Sequence, residues 1–151
     1  MKKKLLILLT LIFMTPFVIK AEELQMKWQK SWGGNDDDVL NNVIETEDGS
    51  VILLGRSYST DIEGLPNKGS YDAIIAKYDK DGNMLWQKSW GGNSWESLNN
   101  VIETEDGSII LVGESYSKDI EGLPNKAPIA PIIIKYDKDG NMLWQKSWVW
   151  V

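Results

Sequence analysis

The sequence predicts an all-β protein assembled from repeated four-stranded antiparallel units. The first observation is a fixed period: the pentapeptide WQKSW begins at Trp28, Trp86 and Trp144, each 58 residues after the last. The second is the fidelity of the copying, since LNNVIETEDGS, DIEGLPNK and KYDKDGNMLWQKSW each occur twice, letter for letter. The third is that short apolar runs alternate with turn signals, and nothing after the N-terminal stretch keeps a helical period. A constant period of this order marks an array of one supersecondary unit.

The elements of the first unit follow in order. Residues 42–46 read as a strand, with Val43 and Ile44 on opposite faces. Asp48-Gly49 is a two-residue hairpin signal in which both turn positions favour positive φ. Residues 51–55 form a continuous apolar run, as in a strand buried on both faces. The stretch 58–71 is polar, holds Gly64, Pro66, Asn67 and Gly69, and reads as loop. Residues 72–78 form a third strand, apolar at Ala73, Ile74, Ile75 and Ala76. DKDGN at 79–83 is a second tight turn, and 84–90 is a fourth strand in which Trp86, Lys88 and Trp90 alternate with Leu85, Gln87 and Ser89. Gly91-Gly92 breaks the chain before the next unit. The repeat region then covers 22–151, with units at 28–85 and 86–143 and one extra strand at 144–151.

Four antiparallel strands whose middle members are buried on both faces describe a propeller blade, which cannot bury both faces alone. A β-sandwich is the competing architecture, and it predicts cleaner alternation than Val51-Ile52-Leu53-Leu54 shows. The pattern D-A-I-I-A-K-Y-D-x-x-G-N-x-L-W-x-x-x-W-G-G, from Asp72 to Gly92, resembles the β-propeller repeats of bacterial secreted and cell-surface proteins. YDKDGNMLW is its most specific part, and the resemblance covers essentially the whole mature chain. It implies a bladed, mostly non-catalytic surface protein. Three other patterns fit less well. The WD40 repeat wants Gly-His or Trp-Asp pairs, and neither is present. The sialidase Asp-box fails because Lys80 stands two before Gly82 and Trp86 stands four after it. A calcium loop opening at Asp79 would need an acid where Trp90 stands. DKDGN is therefore read as a turn.

The N-terminus opens with Lys2, Lys3 and Lys4, then an apolar run to Ile19, with Ala21 at an expected cleavage point. The run is shorter than the roughly 20 residues of a membrane span, so 1–21 reads as a cleaved signal peptide. The expected location is secreted, cell-surface or periplasmic, with no integral membrane segment after cleavage. Removal takes four of the 16 basic residues and none of the 22 acidic ones, moving the net charge from −6 to −10. That charge argues against a nucleic-acid partner. With no Cys and no His, disulfides, zinc or haem sites and Ser–His or Cys–His nucleophile pairs fall away. No cofactor and no metal are expected. Glu45 with Glu47 could do glycosidase chemistry in principle. They recur in both units at a hairpin, where solvated strand positions explain them better, so no enzyme is expected.

Eight Trp residues invite a ligand-stacking role. Six of them recur at repeat positions, where blade-to-blade packing is the plainer reading. Trp95 differs, because its counterpart is Asp37 within the run Asp36-Asp37-Asp38. The ligand-binding candidates are Trp95, Trp32 and Trp90. Two units fall short of the about 4–8 blades of a closed ring. The partner is therefore either the protein itself, as a homo-oligomer closing the ring head to tail, or a surface ligand such as a glycan. The alternative is a truncated structural remnant of a longer surface propeller without activity of its own. GSYDAIIA at 69–76 becomes APIAPIII at 127–134 between unchanged flanks, as a compensated frameshift would produce, and Pro128 and Pro131 are expected to weaken the third strand there. An open pair of units would carry exposed, aggregation-prone edges.

Overall fold

The computed structural model describes residues 25–123 and 127–148. The expected signal peptide and residues 149–151 of the expected extra strand lie outside the described residues. Eight strands form two four-stranded antiparallel sheets. The first is β1 (Asp38–Glu45), β2 (Val51–Ser57), β3 (Asp72–Tyr78) and β4 (Met84–Trp90), and the second is β5 (Glu96–Glu103), β6 (Ile109–Ser115), β7 (Ala130–Tyr136) and β8 (Met142–Ser147). Within each sheet every strand pairs with its neighbour in sequence, and no helix occurs among the described residues. The all-β class and the four-strand unit are as the sequence predicts.

Three local expectations are corrected. β1 begins at Asp38, not 42, because a bulge between Leu40 and Asn42 lets the strand run on past its break in alternation. The Asp48-Gly49 hairpin is not a two-residue turn with positive φ at both positions. Only Gly49 is left-handed, at φ 77°. The Gly49 N–H donates to the Thr46 carbonyl at 2.9 Å and the Thr46 N–H to the Ser50 carbonyl at 2.8 Å, a longer loop closed by one left-handed glycine. Asp48 stiffens it by accepting the Thr46 hydroxyl and the Ser50 N–H, and the Thr46 bond, first among several, holds its carboxyl well below the usual range. The third correction concerns the unit bounds, since the fourth strand at 84–90 with the break at Gly91-Gly92 already has the observed phase. The sheets run 38–90 and 96–147, so the bounds 28–85 and 86–143 cut through β4 and β8, and 144–147 belongs to the last strand of the second sheet. The surplus copy of WQKSW is the first one, at 28–32, which joins neither sheet.

Pro131 does not prevent β7 from pairing on both sides. Its effect is local. The β3–β4 ladder opens with Ala73 opposite Trp90, whereas the β7–β8 ladder opens one pair later, with Ile132 opposite Ser147. At the position of the missing pair Pro131 has no N–H to give, and only the bond from the Trp148 N–H to the Pro131 carbonyl remains, at 3.3 Å.

The two sheets pack face to face. Ile52, Leu54, Ala73, Ile75 and Trp90 of the first form one cluster with Leu98, Val101, Ile109, Leu111, Ile132, Ile134 and Tyr136 of the second. One face of the first sheet thus meets the opposite face of the second. Copied residues therefore have unequal surroundings: Leu98 is fully buried while Leu40 is 44 % exposed, and Val101 is 2 % exposed while Val43 is 57 %. On the far face of the second sheet, Ile102 and Val112 are exposed.

Leu98→Ala is expected to destabilise the protein by about 2–5 kcal/mol. Leu40→Ala, the same change at the same repeat position, should cost less than about 1 kcal/mol. Denaturant unfolding of the two variants measures the difference.

Candidate functional site

The loops at one end of the sheets carry the residues of interest. Trp95 immediately precedes β5. Its carbonyl accepts the Tyr116 N–H at 2.9 Å, as the Asp37 carbonyl accepts the Tyr58 N–H at 3.0 Å one unit earlier. An isolated bridge joins Tyr71 to Trp95, and the Glu96 N–H donates to the Tyr71 carbonyl at 3.2 Å. These backbone bonds line up four rings. Tyr58 lies 4.9 Å from Tyr71, tilted by 59°; Tyr71 stacks on Trp95 at 5.6 Å and 18°; Trp95 meets Tyr116 at 6.0 Å and 56°. The Arg56 guanidinium sits 5.4 Å from the Tyr71 ring centre. Burial pushes the Tyr71 hydroxyl above its ordinary pKa, against the opposing pull of Arg56, so it stays a neutral donor. Trp95 is 47 % exposed. The row offers aromatic faces with a cation beside them, a surface suited to stacking on the apolar face of a ligand.

Trp32 and Trp90 are placed elsewhere. They line two equivalent grooves, one unit apart. The larger, about 570 Å³, is bordered by Ser89, Trp90, Gly91, Glu121, Met142 and Gln145. The smaller, about 420 Å³, is bordered by Ser31, Trp32, Gly33, Glu63, Met84 and Gln87. The Trp32 indole N–H donates to Gln87 Oε1 at 3.0 Å, and that of Trp90 to Gln145 Oε1 at 2.8 Å. Trp90 is a member of the core cluster and almost fully buried, so its ring packs the two sheets together and leaves no free face for a ligand. Trp32 is half-buried in the corresponding position. The structure does not bring the three candidates to one surface.

Tyr58, Tyr71, Tyr116 and Arg56 escaped the sequence reading. A signal existed for two of them, since Tyr58 and Tyr116 occupy the same repeat position just past a strand end. Tyr71 carried none, because Ile129 replaces it in the second unit.

Behind the row lies a pair of buried carboxylates. Glu96 is fully buried: Oε1 accepts the Ser115 hydroxyl at 2.9 Å and the Ser117 hydroxyl at 2.5 Å, and Oε2 accepts the Gly92 N–H at 3.0 Å. Asp72 is equally buried. Its Oδ2 accepts the Lys68 N–H at 3.2 Å, and its Oδ1 has no partner. The two flank Gly91: a methyl group there would lie 2.5 Å from Asp72 Oδ1 and 2.6 Å from Glu96 Oε2. Burial raises the Asp72 pKa to about 6, and the Glu96 charge adds to the rise. Among the described residues no group of three or more acidic side chains is placed to hold a metal ion. Glu45 and Glu47 are both exposed, and the Glu47 N–H donates to Glu103 of the next unit at 2.7 Å.

The chain matches no protein-family model. Over 71 residues, 44 % of this chain, it is 35 % identical to the regulatory protein FlaEY of Caulobacter vibrioides. The chain spans only 7 % of that protein's length.

Asp72 generates a pH prediction. Its carboxyl takes up a proton near pH 6 when folded and near about pH 3.9 when unfolded. Its contribution to stability is therefore greatest below about pH 4 and is lost as the pH rises through about 6. Asp72→Asn, which keeps the acceptor for Lys68, should stabilise the protein by about 1–3 kcal/mol at pH 7.5. The gap over wild type should close by about pH 4. Urea titrations across that range give both values.

Proposed function

We propose that this protein is a secreted or cell-surface β-propeller-type repeat module that binds a ligand without catalysing a reaction. The single observation that carries the reading is the row Tyr58–Tyr71–Trp95–Tyr116, in which Tyr58 and Trp95 are exposed and Tyr71 and Tyr116 half-buried, with Arg56 beside Tyr71. Sugar rings have the shape and the mixed apolar and hydroxylated surface that such a row accommodates, with Arg56 and the Tyr hydroxyls as hydrogen-bonding groups. The propeller-type arrangement is supported by the meander of each four-stranded unit and by the packing of one face of a unit on the opposite face of the next. Export is supported by the positively charged and then apolar N-terminal sequence.

A second reading, a purely structural unit of a larger surface propeller, draws on the apolar residues Leu40, Val43, Ile102 and Val112 exposed on the two outer sheet faces. The ligand experiment separates the two. A glycan-array screen of the purified protein should give reproducible binding to one class of glycan. Trp95→Ala should weaken that binding about tenfold, near 1.4 kcal/mol, while the protein stays folded. A blank array from folded protein would favour the structural reading.

A further inference from the structure

The three copies of WQKSW are held in three different ways. In the copy at 86–90, the Trp86 ring lies over Gly140, where a Cβ would come within 2.8 Å of it. Its indole N–H donates to the Lys138 carbonyl at 3.1 Å, and that of Trp90 to Gln145 at 2.8 Å. The receiver is thus a glycine, a turn carbonyl and a glutamine of the next unit. The copy at 28–32 fills the same receiver on the first sheet: Trp28 lies over Gly82, where a Cβ would come within 2.7 Å, and donates to the Lys80 carbonyl at 3.3 Å, while Trp32 donates to Gln87 at 3.0 Å. Among the described residues the copy at 144–148 has no receiver. Trp144 is 37 % and Trp148 56 % exposed, and no described residue accepts their indole N–H groups.

Among the described residues, three donor segments therefore face two receivers, and the donors are unequally anchored. Residues 86–90 pair with β3, and 144–147 pair with β7. Residues 28–32 belong to no ladder. The outer faces match as well. Leu40 and Val43 are exposed at the positions where Leu98 and Val101 are buried against the first sheet. Val112 is exposed where Leu54 is buried against the second sheet, and Ile102 is exposed where Ile44 packs on the core. The interface inside the chain is thus offered again in part: on the β1–β4 outer face Leu40 and Val43 are open, while Ile74, Ala76 and Tyr78, the counterparts of Ile132, Ile134 and Tyr136, are already buried, with Trp28 stacked on Tyr78.

We propose that a second copy of this chain docks there, its β5–β8 outer face on the β1–β4 outer face, with its Trp144 and Trp148 replacing Trp28 and Trp32 in the receiver. Residues 28–32 are an intramolecular plug that holds this self-association surface partly closed. The plug is tethered, so it competes at a millimolar-order effective concentration. The docked copy offers the same two indoles from a paired strand and adds the burial of Leu40, Val43, Ile102 and Val112. This inference needs only the interface between the two sheets and does not depend on what ligand, if any, the aromatic row binds.

Sedimentation velocity over a concentration series tests it. Trp28→Ala/Trp32→Ala should remove the plug and strengthen association at least about tenfold. Trp144→Ala/Trp148→Ala should abolish association, and combining all four substitutions should return the plug-free protein to monomer. The synthetic peptide MLWQKSW in excess should bind the Trp28→Ala/Trp32→Ala protein and dissolve its assemblies, which guards against a variant that has merely lost structure. Association unchanged or weakened on removing Trp28 and Trp32, or indefinite aggregates that neither the peptide nor Trp144→Ala/Trp148→Ala disperses, would overturn the proposal.

Discussion

Every part of this structure depends on the packing of one four-stranded sheet on the next. All seven residues of β3 are buried, so its side chains need cover on both faces. A lone sheet of this sequence would leave one of those faces in water, and the loss of apolar burial there would be large against the marginal stability of a small domain. The contact is heterologous: Ile52, Leu54 and Ile75 face one way, and Leu98, Leu111 and Ile134 face the other. Each added unit covers one face and exposes a copy of it, so the requirement for a neighbour is passed along the array.

The tryptophans act within that constraint. Trp86 reaches from β4 to the turn before β8, and Trp90 reaches to Gln145 in the middle of β8. Gln145 is held in turn by the Glu121 carbonyl at 2.6 Å. A flat indole over a glycine buries a large apolar area while its single N–H finds a carbonyl, which is why DGN in the turn and W in the strand recur together. The recurring tryptophans are thus part of the join between units, and their number is a property of the repeat.

The features with chemical character lie where the two copies differ. Trp95 replaces Asp37, Tyr71 gives way to Ile129, Glu96 replaces Asp38 and Asp72 gives way to Ala130. The repeat supplies two backbone positions of the same geometry, and the aromatic row and the carboxylate pair arise because the two units put different side chains on them. Both features are built across the join: Tyr71 and Asp72 come from the first unit, Trp95 and Glu96 from the second.

The strand content, the bounds of β3 and β4, the hairpin positions and the repeat were legible from residues alone, because apolar patterning and turn chemistry are local properties. Trp95 stood out for the same reason, as a departure from a local rule. The phase of the sheets was legible too, from the fourth strand at 84–90 and the break at Gly91-Gly92, but not from the period alone: 58 residues is satisfied by any starting point, so unit bounds counted from WQKSW fell inside strands. The partners of Trp95 were not legible, since Tyr58, Tyr71 and Tyr116 meet it only after the strands are paired. The unequal burial of Leu40 and Leu98 is the clearest instance. Identical letters in identical local structure differ in surroundings because burial is decided by what packs across the sheet face, and that is a property of the assembled fold.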